Sequence, residues 1–294
     1  MNKQYESLYQ KSNAQDRTTA FAFFKLPRVS SDPNFQKVKF WLPFYPLADL
    51  AQVEHWQSNE MVDGERKFPK GNLEILASYL NFTFLRLQEE DKILFTGDGT
   101  RACFNTGLLD RRHGYDIYAF FERNRDKEDS PDWVFSQWAT KSDAVRRNLL
   151  EGFSGLPLVA EYFNAENYRE LFFHLEYSTI VVDRHIIEDN LELFPPMLRD
   201  DLRRADVAVT CAVDRLYDQL KRNYKLAVPR WQDGQFQLLL PLWLTSCVEA
   251  DLALVVERVD AQRCYVAKTI LTMDTAYRDA RRIGRPNSDW LKGW

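Results

Sequence analysis

Histidine is scarce in this sequence, four in 294 residues, so the one that stands among carboxylates poses the first chemical question. His185 opens the string HIIEDN at 185–190, just after the apolar run 179–182, with Asp183, Glu188, Asp189 and Asn190 close by. If Ile186 and Ile187 pack inward on a helical turn, His185 and Asp189 share a face one turn apart. A carboxylate in that place would orient the imidazole and raise its basicity, which is what a general base requires. The same pattern also describes a structural histidine bonded to an aspartate at a helix start.

The second candidate is FNTGL at 104–108. Asn105 and Thr106 offer polar side chains at the end of a strand, Gly107 allows a turn with positive φ, and Arg101 lies nearby. Such a turn could present amide hydrogens and a hydroxyl to a phosphate or a base, with Asn190 and the His185 segment on the same cleft. Its structural counterpart is a hairpin turn whose asparagine satisfies its own backbone. The third candidate is the C-terminal cluster Arg278, Arg281, Arg282 and Arg285, with Tyr277 and Trp290 beside it. Arginine next to aromatic rings suits stacking on single-stranded bases and contact with phosphates, and Arg281 is the expected binding residue. Asp274 and Asp279 interrupt the cluster, however, and arginines in the last turn of a helix also favour its dipole.

Other chemistries lack their signatures. No spaced set of three ligands points to a metal, and no cofactor is implied. There is no GxGxxG, no GxxxxGK[ST] and no GxSxG; the nearest string, GFSG at 152–155, is one residue short of the last. The formal charge is −4 with a pI near 5.7, so a broad duplex-coating surface is not supplied by bulk charge, although 39 Lys and Arg leave room for a local basic groove. Cysteines 103, 211, 247 and 264 form neither a ribbon nor a redox pair, which fits a reduced cytoplasmic compartment. No apolar leader and no membrane-length apolar run is present, so the expected location is the cytoplasm, with no membrane partner.

These residues need a scaffold. Twenty Phe, thirteen Tyr and eight Trp supply a large core, since each ring can bury about 150–250 Å². The first 20 residues read as frayed or weakly helical, and the proline-interrupted stretch 21–46 as extended and irregular. Helices are expected at 47–56, 72–90, 142–150, 196–225 and 273–283 from apolar residues at three- and four-residue steps. Strand-like runs at 92–96 and 100–105 flank Gly97-Asp98-Gly99, and further runs lie at 115–122, 133–138 and within 171–182. The runs 236–244, 252–258 and 264–271 follow; the first two are apolar at nearly every position, which marks central strands buried on both faces. Successive strands with short polar links argue for an α+β fold, a mostly antiparallel mixed sheet with packed helices in a single compact unit. The expected division is an extended segment 1–45 and one α+β domain 46–294.

Several strings in order resemble an uncharacterised, mainly bacterial family of unknown function. They are LNFTFLR at 80–86, FNTGL at 104–108 with IYAF at 117–120, and HIIEDN at 185–190 leading to Phe194-Pro195. LLPLWL at 239–244, DLALV at 251–255, TILTMDTAYRDAR at 269–281 and RPNSDWL at 285–291 complete the set. The resemblance implies no established activity. It implies frequent joining to cold-shock-type RNA-binding modules, hence a role in RNA metabolism or stress; this chain's first 45 residues are too short and proline-broken for such a barrel. The reading that follows is a protein that binds nucleic acid, RNA before DNA, or a nucleotide, through Arg101, Asn105, Thr106, Asn190 and Arg281. The alternatives are a phosphodiester- or nucleotide-processing enzyme with His185 and Asp189 as its base pair, and a protein-interaction scaffold.

Overall fold

Apolar runs separated by glycine and aspartate turns become strands, and among the described residues the strands join into two mixed, largely antiparallel sheets and one two-stranded ribbon rather than one sheet. The computed structural model describes residues 3–9, 19–24, 39–62, 65–125, 131–163, 168–177, 180–232 and 234–292. The α+β class stands. The chain gathers into two compact units: Met1–Ser58 with Arg66–Tyr162, and Asn59–Glu65 with Phe163–Trp294.

In the first unit, β1 (Ser7–Tyr9) and β2 (Ala20–Phe23) precede a 3-10 turn at Lys39–Phe44 and helix α1 (Tyr45–Leu50). The chain next gives two-residue strands, β3 (Met61–Val62), which counts with the second unit, and β4 (Glu65–Arg66), at whose last residue the first unit resumes, and then α2 (Glu74–Glu89). After it run β5 (Leu94–Phe95), β6 (Arg101–Leu109), β7 (Asp116–Arg123), β8 (Trp133–Thr140) and α3 (Lys141–Arg146). The sheet order is β1-β2-β8-β7-β6-β5. Alternate side chains of β6 and β7 point to opposite faces, because the strand period is two. On one face Phe104 stacks on Phe121 at 5.5 Å and lies 5.9 Å from Phe84 of α2. On the other, Cys103, Tyr118 and Phe120 pack with Ala144 of α3 and with Leu150 and Phe153; burial pushes the Cys103 thiol up to about 12. The Gly97–Gly99 turn is held by Asp98, whose carboxylate accepts from Thr96 Oγ1 at 2.6 Å and from the Thr100 amide at 3.0 Å.

The second unit places β9 (Ile180–Val181), α4 (Arg184–Asp189), α5 (Pro196–Arg199) and α6 (Leu202–Leu220) before a four-strand meander. The meander is β10 (Val228–Gln232), β11 (Gln235–Leu242), β12 (Leu252–Val259) and β13 (Cys264–Leu271), and α7 (Met273–Arg281) ends it. Sheet order is β10-β11-β12-β13-β9, antiparallel except for β13 with β9. One face, with Leu238, Leu240, Leu254 and Val256, packs against Ala205, Val209, Ala212 and Leu216 of α6 and against Ile186 and Ile187 of α4. The other carries Arg230 and Gln237, register partners across β10 and β11, and is met by α7. There Arg230 forms a buried ion pair with Asp279 at 2.7 Å. Both faces are thus covered, as the unbroken apolar runs require.

Four local expectations change. Residues 7–9 and 20–23 are strands of the first sheet, where fraying or weak helix is expected up to residue 20. The helix at 47–56 ends at Leu50, because Ala51 turns extended and bridges Asp110 instead. The helix at 196–225 is cut between Arg199 and Leu202, where the Asp201 carboxylate accepts from the Arg203 and Arg204 amides and starts α6 afresh. Of the strand expected within 171–182, only Ile180–Val181 pairs among the described residues, while Tyr168–Leu171 is a 3-10 turn. Pro27 and Pro33 of the proline-rich stretch, and most of the charged loop 123–131, lie outside the described residues.

Candidate functional site

The sequence-derived candidates divide between the units. Arg101, Asn105 and Thr106 belong to the first; His185, Asp189, Asn190 and Arg281 belong to the second.

FNTGL is not a turn at a strand end. It is a bulge inside β6, where the register with β7 slips between Asn105 and Leu109 and Gly107 takes φ +72°. Its polar atoms are matched inside the unit. Asn105 accepts from the Gly107 amide at 2.9 Å and donates to the Pro157 carbonyl at 3.3 Å. Thr106 donates to the Ile117 carbonyl at 2.7 Å, and the Tyr79 hydroxyl donates to the Thr106 carbonyl at 2.9 Å. Arg101 donates to the carbonyls of Leu149 and Glu151 and lies over the Phe153 ring. A bulge must satisfy its unpaired backbone somehow, and here local side chains do it.

His185 pairs with Asp183 rather than with Asp189: Nδ1 stands 2.9 Å from the Asp183 carboxylate. The reason is helix capping, because Asp183 is the N-cap of α4 and its carboxylate also faces the His185 amide at 3.5 Å. These bonds to His185 hold the Asp183 carboxyl below the usual carboxylate range. The imidazole is 64% exposed at the surface. Asn190 closes the same helix, donating to the Ile186 carbonyl at 2.8 Å. Arg281 is buried in α7 on the other face of the second sheet from α4. That sheet separates it from the His185–Asn190 segment.

The C-terminal arginines sort into two kinds. Arg278 pairs with Glu60 at 3.1 Å, and Arg282 with Asp279 at 3.2 Å, within the network that also holds Arg230. Arg285, two residues beyond a buried Ile283, is exposed and lines an open cavity of about 300 Å³. The cavity is walled by Leu171, which ends the 3-10 turn at Tyr168–Leu171, and Phe172 after it, by Tyr224, Lys225 and Val228 ahead of and on β10, and by Phe163 and Asn287. Phe163, Phe172 and Tyr224 remain 54%, 46% and 63% exposed. The rings of Phe172 and Tyr224 lie 6.0 Å apart, tilted by 52°. Neither the Lys225 ammonium nor the Arg285 guanidinium has an ion-pair partner among the described residues. Exposed rings beside unpaired cations form a surface that offers π-faces and positive charge together.

Sequence reasoning missed this groove. Its signal was present at 221–225, KRNYK, an aromatic ring between basic residues at the end of an amphipathic helix. Phe172 gave none: it adjoins Phe173, and only the fold decides that Phe173 is buried while Phe172 is open. Among the described residues no group of three or more His, Cys, Asp or Glu side chains is placed to hold a metal, and no helix is long and apolar enough to cross a membrane.

Fold and groove together define an α+β protein of two mixed, largely antiparallel sheets that presents an aromatic and cationic surface in its second unit. The chain belongs to the family described as Domain of unknown function (DUF3825), which matches residues 47–290. No curated protein and no solved structure matches it.

Proposed function

We propose that this protein binds single-stranded RNA or a nucleotide through the groove of Phe163, Phe172, Tyr224, Lys225 and Arg285. The observation that carries the reading is the coexistence around one cavity of three half-open rings and two cations with no ion-pair partner among the described residues. Bases stack on such rings whatever their identity, at about 1–3 kcal/mol each, and phosphates seek the cations. A protein of net charge −4 would bind by this local patch, not by a general basic surface. The resemblance to a family often joined to cold-shock-type RNA-binding modules points the same way, towards RNA metabolism or stress. Four free cysteines fit a reducing, cytoplasmic compartment.

The test is fluorescence anisotropy of a labelled single-stranded RNA at low salt. Phe172→Ala and Tyr224→Ala should each weaken binding by about thirtyfold, the mid-range cost of one lost stacking platform. Wild-type protein that leaves the labelled strand free at low salt, or variants that bind as tightly as wild type, would refute the assignment.

A further inference from the structure

A second cavity, of about 160 Å³, has a lining that adjoins that of the first. Two contacts join them. Leu171 faces the groove while its neighbour Glu170 lines the second cavity. Phe163 of the groove stacks on Phe236 of the second cavity, with centroids 6.4 Å apart and planes 16° from parallel. The two linings are therefore neighbours, joined by consecutive residues and by one pair of stacked rings.

The lining there has the opposite character. Glu170, Glu257 and Asp260 face a single guanidinium, Arg258, which Asp260 already engages at 2.9 Å. Asp260 also accepts from the Tyr177 hydroxyl at 2.6 Å, a bond that draws the carboxyl down and the phenol up from their ordinary values. Glu257 accepts from Gln237 at 3.1 Å through one oxygen, Oε2, which Lys268 also approaches at 3.6 Å, and this leaves Oε1 facing no described donor. Glu170 has no ion-pair or side-chain hydrogen-bond partner among the described residues. The fully buried Tyr265 accepts from the His174 amide at 2.9 Å, which leaves its own hydroxyl hydrogen to donate. Such a lining repels phosphate and offers acceptors to a group rich in donors.

We infer that this cavity is a base-reading subsite for guanine, whose N1–H and N2 amino group present two adjacent donors that match a carboxylate. Glu257 and Glu170 are the accepting groups, and Tyr265 supplies one donor for the base's O6. Cytosine offers one amino donor and adenine one, so both satisfy the lining less completely; uracil's single imino donor leaves a carboxylate unmatched. The inference rests on the RNA reading of the adjoining groove and adds the base that it prefers.

The experiment compares uridine octamers carrying a single central guanosine, inosine, adenosine or no substitution, by anisotropy against wild type, Glu257→Gln and Glu170→Gln. Wild type should bind the guanosine octamer about tenfold more tightly than plain oligouridine, within the discrimination expected of one two-point base contact, with inosine between them for want of its N2 donors. Either glutamine variant should shrink that ratio while plain oligouridine binding stays as it was. Glu170→Gln breaks no ion pair or side-chain hydrogen bond among the described residues, so it reads the subsite even if Glu257→Gln perturbs its neighbours. Equal affinity for all four octamers, or an undiminished guanosine ratio in Glu170→Gln, overturns the subsite and leaves the groove's RNA binding intact. Absence of binding to every octamer overturns both.

Discussion

The bulge at Asn105–Gly107 and the groove at Phe172–Tyr224 are both places where a polar or aromatic side chain departs from the regular lattice, and they differ in what is left over. At the bulge, amide, hydroxyl and carbonyl each meet a partner within the first unit. At the groove the rings are open and the cations unpaired among the described residues. A motif that looks chemical in sequence can be consumed by the fold's own bookkeeping, whereas binding capacity resides in groups that the fold leaves unmatched.

That comparison can be strained from both ends. The largest effect should come from a matched, buried site. Asp279→Ala strands Arg230 inside the second unit, and removal of one partner from a buried pair typically costs about 3–5 kcal/mol. Urea unfolding should show that loss; a change below about 1 kcal/mol would mean that the network is ornamental. A smaller effect is expected at the bulge. In Gly107→Ala the new Cβ lies 2.5 Å from the Tyr79 hydroxyl, on a residue at φ +72°. Strain of this kind costs about 1–3 kcal/mol, so thermal unfolding should fall by several degrees. An unaltered melting temperature would show that the bulge relaxes freely. The smallest stability effects belong to the groove, where Phe172→Ala and Tyr224→Ala should stay within about 0.5 kcal/mol of wild type while RNA affinity falls. If those variants unfold instead, their rings are structural and the contrast collapses.

The parts of this fold written most plainly in the sequence are those governed by periodicity. Leu76, Leu80, Phe84 and Leu87 repeat at helical steps, and α2 forms where they do, at Glu74–Glu89. The apolar runs around 239 and 252 give central strands because both faces must be covered. Short strands such as Ser7–Tyr9 carry too few residues for a pattern, and their pairing is decided by partners distant in the chain. The break at Asp200-Asp201 is a local capping event inside an otherwise continuous apolar stripe, so periodicity overrides it on paper and the Asp201 side chain decides it in the structure. The candidate residues fared as their surroundings dictate. His185 stands beside a carboxylate as its sequence neighbourhood suggests, but the carboxylate is the N-cap Asp183. Arg281 belongs to a cluster whose members look equivalent in sequence. Burial assigns Arg278, Arg281 and Arg282 to the interior network side and leaves Arg285 at the groove.

The central claim is that two unpaired cations and the rings beside them hold a single-stranded phosphate backbone. The most direct measurement is the salt dependence of RNA affinity for wild type and for Lys225→Glu/Arg285→Glu, titrated between about 50 and 200 mM salt. Each phosphate contact contributes about 0.7 to the logarithmic slope on a single strand, so the double variant should bind more weakly with a slope shallower by about 1.4. Equal affinity and equal slope in the two proteins would contradict the account.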